Sequence, residues 1–190
     1  PADVLRLADL PDEFPGPGEI VVRMEAAAVQ FIDLLNDKRV GKFQNDRPWE
    51  SCITLGTQWS WKPNDDIKSL HESVQTLIRC AGGDGNLAYN VGPMPDGRIE
   101  PRQVERLQEI GEWLAQYGEC VYGTRGGPYM PGDWGVSTHN GNTIYLSILD
   151  PATTTIVLPA PPGQIATARS LTGGTVSLRR TGDRISVMFD

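Results

Sequence analysis

Hydrophobic positions along this chain change rhythm near residue 126. Upstream, Ile67, Leu70, Val74, Leu77, Ile78 and Ala81 recur at helical spacing, which puts an apolar stripe on one side of a helix. Asn64, Asp65 or Asp66 supplies a start for that helix, and Gly82-Gly83 a stop. Residues 52–55 before it and 86–91 after it are short apolar runs that predict strands, and the run Gly92-Pro93-Met94-Pro95-Asp96-Gly97 is a dense turn signal. A second helix opens with Pro101 at its first position, carries Val104, Leu107, Ile110, Leu114 and Tyr117 on one face, and ends at Gly118. Strand, helix, strand, helix in that order predicts a parallel-sheet α/β architecture, doubly wound or barrel.

Downstream the period falls to two. Residues 143–149, 153–158, 166–171, 176–179 and 184–189 read as strands, with turns at Asn140-Gly141, Gly173-Gly174 and Thr181-Gly182-Asp183. Short strands of this number predict a small antiparallel β-sandwich as a second domain. Residues 1–50 are less regular: 4–7 are strand-like, 11–18 are rich in Pro and Gly, and 19–35 read as helix.

Composition narrows the function classes. A net charge of −7 over 190 residues opposes a nucleic-acid partner, because phosphate recognition rests on clustered Lys and Arg. No apolar run approaches the length of a membrane span. The chain opens Pro-Ala-Asp-Val, as a mature product or a piece of a longer chain would. Cys52, Cys80 and Cys120 are widely spaced and odd in number, which fits plain thiols better than a zinc site or a disulfide framework. His71 and His139 lack metal-ligand spacing, so neither a metal nor another cofactor is expected.

The densest chemistry lies in Asp46-Arg47-Pro48-Trp49-Glu50-Ser51-Cys52, with Trp59 and Trp61 close behind. One reading is a core Trp beside a solvated carboxylate. The other is a carboxyl held against an indole, where desolvation would raise its pKa and keep it protonated as a general acid. A glycosidase needs two carboxyl groups, about 5–5.5 Å apart if it retains configuration. Asp9 could supply the second carboxyl from a strand end, but an acidic residue before a Pro-rich loop is more often a solvated turn residue. Asp65, Asp66 and Asp96 read as cap and turn residues, and Glu105, Glu109 and Glu112 as the solvated face of the second helix. Gly82-Gly83-Asp84-Gly85 follows a helix and precedes a strand, the reverse of a phosphate loop, and reads as a helix stop.

The runs WESCITLGTQWSWKPNDD (49–66), GGDGNLAYNVGPMPDGRIEPRQVERLQEIGEWL (82–114) and YGECVYGTRGGPY (117–129) resemble the C-terminal half of the α-L-fucosidases of glycoside hydrolase family 29. That resemblance implies a partial (β/α) barrel over 1–127 followed by a β-sandwich over 128–190. It also implies retaining removal of terminal α-L-fucose from fucosylated oligosaccharides or glycoconjugates, in a secreted, periplasmic or lysosome-like compartment. Glu50 falls on the family's Trp-Glu position, which implies the acid/base role. Trp59 falls on an aromatic position of the fucose pocket, with Trp61 and Trp49 as further sugar-stacking candidates. The family's nucleophile sits in a Trp-Phe-Asp-Gly-like motif, whereas Leu5-Arg6-Leu7-Ala8-Asp9-Leu10 lacks both the aromatic and the glycine. A complete barrel takes about 250 residues. The expectation is therefore a truncated enzyme, inactive alone and prone to form homo-oligomers through exposed strand edges, with a non-catalytic glycan-binding or structural module as the alternative.

Overall fold

A computed structural model describes residues 49–190. The readings of 4–7, Asp9 and 19–35 lie outside the described residues. Strands β1 (Glu50–Thr54) and β2 (Asn86–Asn90) run parallel, with Glu50 opposite Asn86 and Thr54 opposite Asn90. Helix α1 (Leu70–Gly82) makes the crossover that parallel neighbours require. Alternation splits β1 into two faces. Ser51 is fully buried with its hydroxyl toward the Cys80 thiol of α1, whereas Glu50 and Cys52 stand exposed on the opposite face.

Helix α1 starts later than its periodicity suggests. Its N-cap is Ser69, whose hydroxyl accepts from the Glu72 amide while the Glu72 carboxylate accepts from the Ser69 amide. This reciprocal capping box satisfies two otherwise orphaned donors. Neither Asn64, Asp65 nor Asp66 caps the helix, because Asp65 is buried in another network and Asn64 takes a left-handed backbone at φ 55°. At the far end Gly82-Gly83-Asp84-Gly85 stops the helix as expected. Asp84 adopts φ 62°, and its carboxylate accepts from Arg125 Nε at 2.8 Å and from the Gly126 amide at 2.7 Å.

Helix α2 (Pro101–Tyr117) has Pro101 in its first turn and Gly118 as its C-cap, followed by a 3₁₀ turn, Gly118–Cys120. Its apolar stripe is only partly covered, since Val104 and Leu107 remain exposed while Gln103 is buried.

The rest of the chain forms two three-stranded antiparallel sheets, an arrangement compatible with a β-sandwich. One has the order β3 (Arg125–Gly126), β4 (Gly135–Asn140), β5 (Thr143–Ile148). The other has the order β6 (Thr155–Pro159), β8 (Arg184–Phe189), β7 (Val176–Thr181). Ile156, Leu158, Ile185 and Val187 of the second sheet pack with Tyr129 and with Ile144, Leu146 and Ile148 of β5. The opposite face of the first sheet meets α1: Val136 packs with Ile78 and Cys120, and Tyr145 and Leu149 join them. Strand β5 therefore feeds two cores from its two faces.

Residues 166–171 were expected to be a strand and are not. Leu171 packs against the α1 core and Arg169 pairs with Glu119 across 3.0 Å, so the segment is tied down by side chains and takes no place in a ladder. Strand β6 begins at Thr155 instead of 153 because Asp150 builds a turn, accepting from the Ala152 amide and the Thr153 hydroxyl. The β4–β5 turn sits one residue beyond the expected pair: Asn140 still pairs with Thr143, and Gly141 leads the two-residue loop at φ 54°. Gly182 does the same between β7 and β8 at φ 62°. A glycine with positive φ at the first loop position matches the twist of the flanking strands.

Candidate functional site

Parallel strands that share a helical crossover bring their C-terminal ends, and the loops that follow, to one side of the sheet. On that side the chain leaves β1 through Leu55, which is fully buried and whose amide donates to Asn90 O at 2.9 Å. It then makes an excursion through residues 56–68 before α1 begins.

Asp65 organises this excursion. Its side chain is 3% exposed, and its carboxylate accepts from the Thr57 hydroxyl at 2.5 Å, the Thr57 amide at 2.9 Å and Lys62 Nζ at 3.0 Å. The Thr57 hydroxyl bond holds the Asp65 carboxyl well below the usual carboxylate range; burial opposes this, while the Thr57 amide and Lys62 reinforce it. Gly56 leaves room for the carboxylate, since a Cβ there would stand 2.3 Å from Oδ2. Lys68 closes the base of the loop by donating to Thr54 O at 2.7 Å and Gly56 O at 3.0 Å.

The crest carries Trp59, 54% exposed. Its carbonyl accepts from Asn90 Nδ2 at 3.0 Å, and Gly92 lets the crest lie close, because a Cβ there would stand 2.4 Å from Trp61 N. An indole with one face open on a hydrogen-bonded loop can stack on the apolar face of a sugar ring. Trp61 is half-buried, with its Nε1 donating to Glu100 Oε2 at 3.0 Å.

One expectation needs correcting here. Trp49 is 5% exposed, its Nε1 donates to Gly83 O at 3.0 Å, and Gly85 lies flat against its ring. It wedges β1 to the α1–β2 turn and offers no open face for stacking. Glu50 is exposed on the other face of β1, so of the two readings of this pair the arrangement is that of a core Trp beside an exposed carboxylate. Glu50 is the first residue of β1 and Trp59 follows its last. Four strand steps alone separate the two ends by about 13 Å. The structure therefore puts Trp59 and Trp61 on one loop after the C-terminal end of β1 and Glu50 at the other end of that strand.

Asp65, Lys62, Thr57, Asn90 and Glu100 had no functional reading in the sequence. The nearest signal was the crowding of Asp65 and Asp66 between two lysines, Lys62 and Lys68, in a stretch with two tryptophans. Among the described residues no group of His, Cys, Asp or Glu is placed to hold a metal ion, and no helix is long and apolar enough to cross a membrane.

The family model described as Alpha-L-fucosidase matches residues 19–119, more than half of the chain and all of β1, α1, β2 and α2. The chain belongs to the α-L-fucosidase family. An α-L-fucosidase from Branchiostoma floridae is 29% identical over 143 residues, covering 69% of this chain and 31% of that protein. Human plasma α-L-fucosidase is 35% identical over 80 residues, covering 40% and 17%. A family 29 α-L-fucosidase from Bacteroides thetaiotaomicron, solved as a trapped covalent intermediate with 2-fluoro-fucosyl fluoride, aligns with TM-score 0.67 and 25% identity, over 80% of this chain and 36% of the other. The chain thus corresponds to about a third or less of the length of these relatives.

Proposed function

We propose that this chain works in the hydrolysis of terminal α-L-fucose from glycans with retention of configuration, and that Trp59 is its sugar-stacking residue. In this reading β1, α1, β2 and α2 are the last units of a (β/α) barrel within 1–127, and 128–190 is the accessory sandwich. Barrel enzymes gather substrate contacts at the C-terminal ends of their strands. The observation that carries the reading is the exposed Trp59 on a clamped loop at that end of a parallel pair, inside the family-matched segment. The covalent intermediate of the Bacteroides relative supports retention, and the plasma relative supports a secreted or lysosome-like location. Fucosylated oligosaccharides or glycoconjugates are the proposed substrates.

The acid/base role of Glu50 is a separate proposal, supported by its place in the Trp-Glu pair. Its position at the opposite end of β1 favours a second reading, a fucose-binding module without chemistry of its own. Titration with methyl α-L-fucoside by calorimetry, run beside release of nitrophenol from its aryl fucoside, tests both. Saturable heat lost in Trp59→Ala supports the platform, and no saturation in the wild-type chain sinks it. Turnover abolished by Glu50→Gln supports the acid/base role; heat without turnover supports the binding module.

A further inference from the structure

Glu100 sits where a helix N-cap should be and does not cap. A side chain at that position ordinarily accepts from the amides of the first turn, yet Glu100 makes no such bond to α2. Its carboxylate is 12% exposed and faces the excursion after β1. Oε2 accepts from Trp61 Nε1 at 3.0 Å, and Oε1 accepts from Arg102 Nε at 2.5 Å, with an ion pair to the same guanidinium. Arg102 donates from its remaining arm to Asp65 O at 3.0 Å. A closed circuit results, from Trp61 to Glu100 to Arg102 to Asp65 and back along the chain.

We infer that Glu100 is a positioning residue, which sets the orientation of Trp59 by holding the Trp61 indole and the Asp65 carbonyl against the start of α2. The inference rests on the reading of Trp59 as the sugar platform. Trp59 is two residues from the anchored indole, and Asn90 fixes its own carbonyl. Four attachments therefore define the crest: the Thr54 hydroxyl donating to Gln58 O at 3.0 Å, Asn90 at residue 59, the close approach of Gly92 at 60–61, and Glu100 at the Trp61 ring. Without Glu100 the Trp61 N–H loses its acceptor and Arg102 its counter-charge. The crest then keeps only its three backbone attachments, and the exposed indole gains freedom that a sugar must freeze on binding.

The test uses the 190-residue chain with Glu100→Ala, Glu100→Gln and Trp61→Phe. Indole ¹⁵N relaxation reports the order of Trp59, assigned by its loss in Trp59→Phe, and methyl α-L-fucoside titration reports affinity. In Glu100→Ala and Trp61→Phe the Trp59 indole should become more mobile and the fucoside should bind about three- to tenfold more weakly, the factor that one lost hydrogen bond supplies. Glu100→Gln keeps an oxygen for Trp61 and should recover most of both. An unchanged Trp59 order parameter in the natively folded Glu100→Ala and Trp61→Phe chains overturns the inference. If Glu100→Ala fails to fold, Trp61→Phe and Glu100→Gln decide it. Failure of the wild-type chain to bind fucoside would sink the platform reading alone, because the relaxation measurement needs no sugar.

Discussion

Gly82 and Val136 form a contact whose strength can be worked out before it is measured. A Cβ at Gly82 would stand 2.5 Å from Val136 Cβ and 2.6 Å from its Cγ2. Carbon atoms rest about 3.5–4.0 Å apart, so Gly82→Ala must push α1 from β4 by about 1 Å or displace Val136, which is 1% exposed and packed against Ile78 and Cys120. Overpacking of this kind costs about 1–3 kcal/mol. Alanine recovers up to about 1 kcal/mol of helix propensity, so the single variant should lose about 1–2 kcal/mol. Val136→Gly deletes three buried carbons at about 0.8 kcal/mol each, with a cavity penalty and the cost of a glycine inside a strand added. In the double variant the new methyl occupies the space that valine vacates. Urea unfolding followed by far-ultraviolet circular dichroism, with m-values checked for equality, should show the double variant at least about 1 kcal/mol more stable than the sum of the singles predicts. Additivity within about 0.5 kcal/mol would refute the claim that closeness of approach is what this glycine provides.

Three further outcomes can be measured. Iodoacetamide at pH 8 should label exposed Cys52 quickly in the folded chain and spare Cys80, whose thiol is buried beneath β1 and pushed up to about 11 by desolvation; peptide mass mapping reads the difference. Asp65 and Asp84 both titrate below their unfolded values, chiefly through the Thr57 hydroxyl and the Arg125 guanidinium respectively, so the stability they contribute is complete above about pH 4 and drains away as pH falls below it. The slope of unfolding midpoint against pH below 4 should be shallower in Asp65→Asn, and an unchanged slope would contradict the assignment. Ser69→Ala removes one half of the α1 capping box and should cost about 1 kcal/mol, read by the same urea titration.

What could be read in advance depended on whether the signal was local. Pro101 and Gly118 bracket α2 because one lacks the amide that a first turn does not use and the other ends the helix without a Cβ, and neither needs a tertiary partner to be recognised. Strand β4 escaped because GVSTHN has one large apolar residue. It is buried through hydroxyls instead: Ser137 Oγ donates to Tyr129 O and accepts its amide, and Thr138 Oγ1 donates to Cys120 O. The capping box Ser69-Leu70-His71-Glu72 was present in the sequence but lay inside the apolar periodicity, so the earlier acids looked like the start. The candidate site was half legible. Trp59 stood out as an aromatic in a polar stretch, whereas Asp65 and Glu100 take their roles from partners 8 and 39 residues away. The strand parity that separates Trp49, Ser51 and Ile53 from Glu50, Cys52 and Thr54 was also available, and it would have parted the carboxyl from the indole at once.

Strand β5 presents Ile144, Leu146 and Ile148 to one core and Tyr145, between Thr143 and Ser147, to another. A slip of one residue would bring Thr143, Tyr145 and Ser147 to the sheet-on-sheet core in place of three branched aliphatic side chains, so the alternation itself resists the shift. Alignment with β4 is held as well at the two ends of the hairpin. At one end is the two-residue turn opened by Gly141. At the other Gly135 lies so near Ser147 O that a Cβ would come within 1.9 Å. Damage to either glycine should strain a hairpin whose alignment the core still dictates, so its mark would be a less stable chain rather than a mixture of misaligned hairpins.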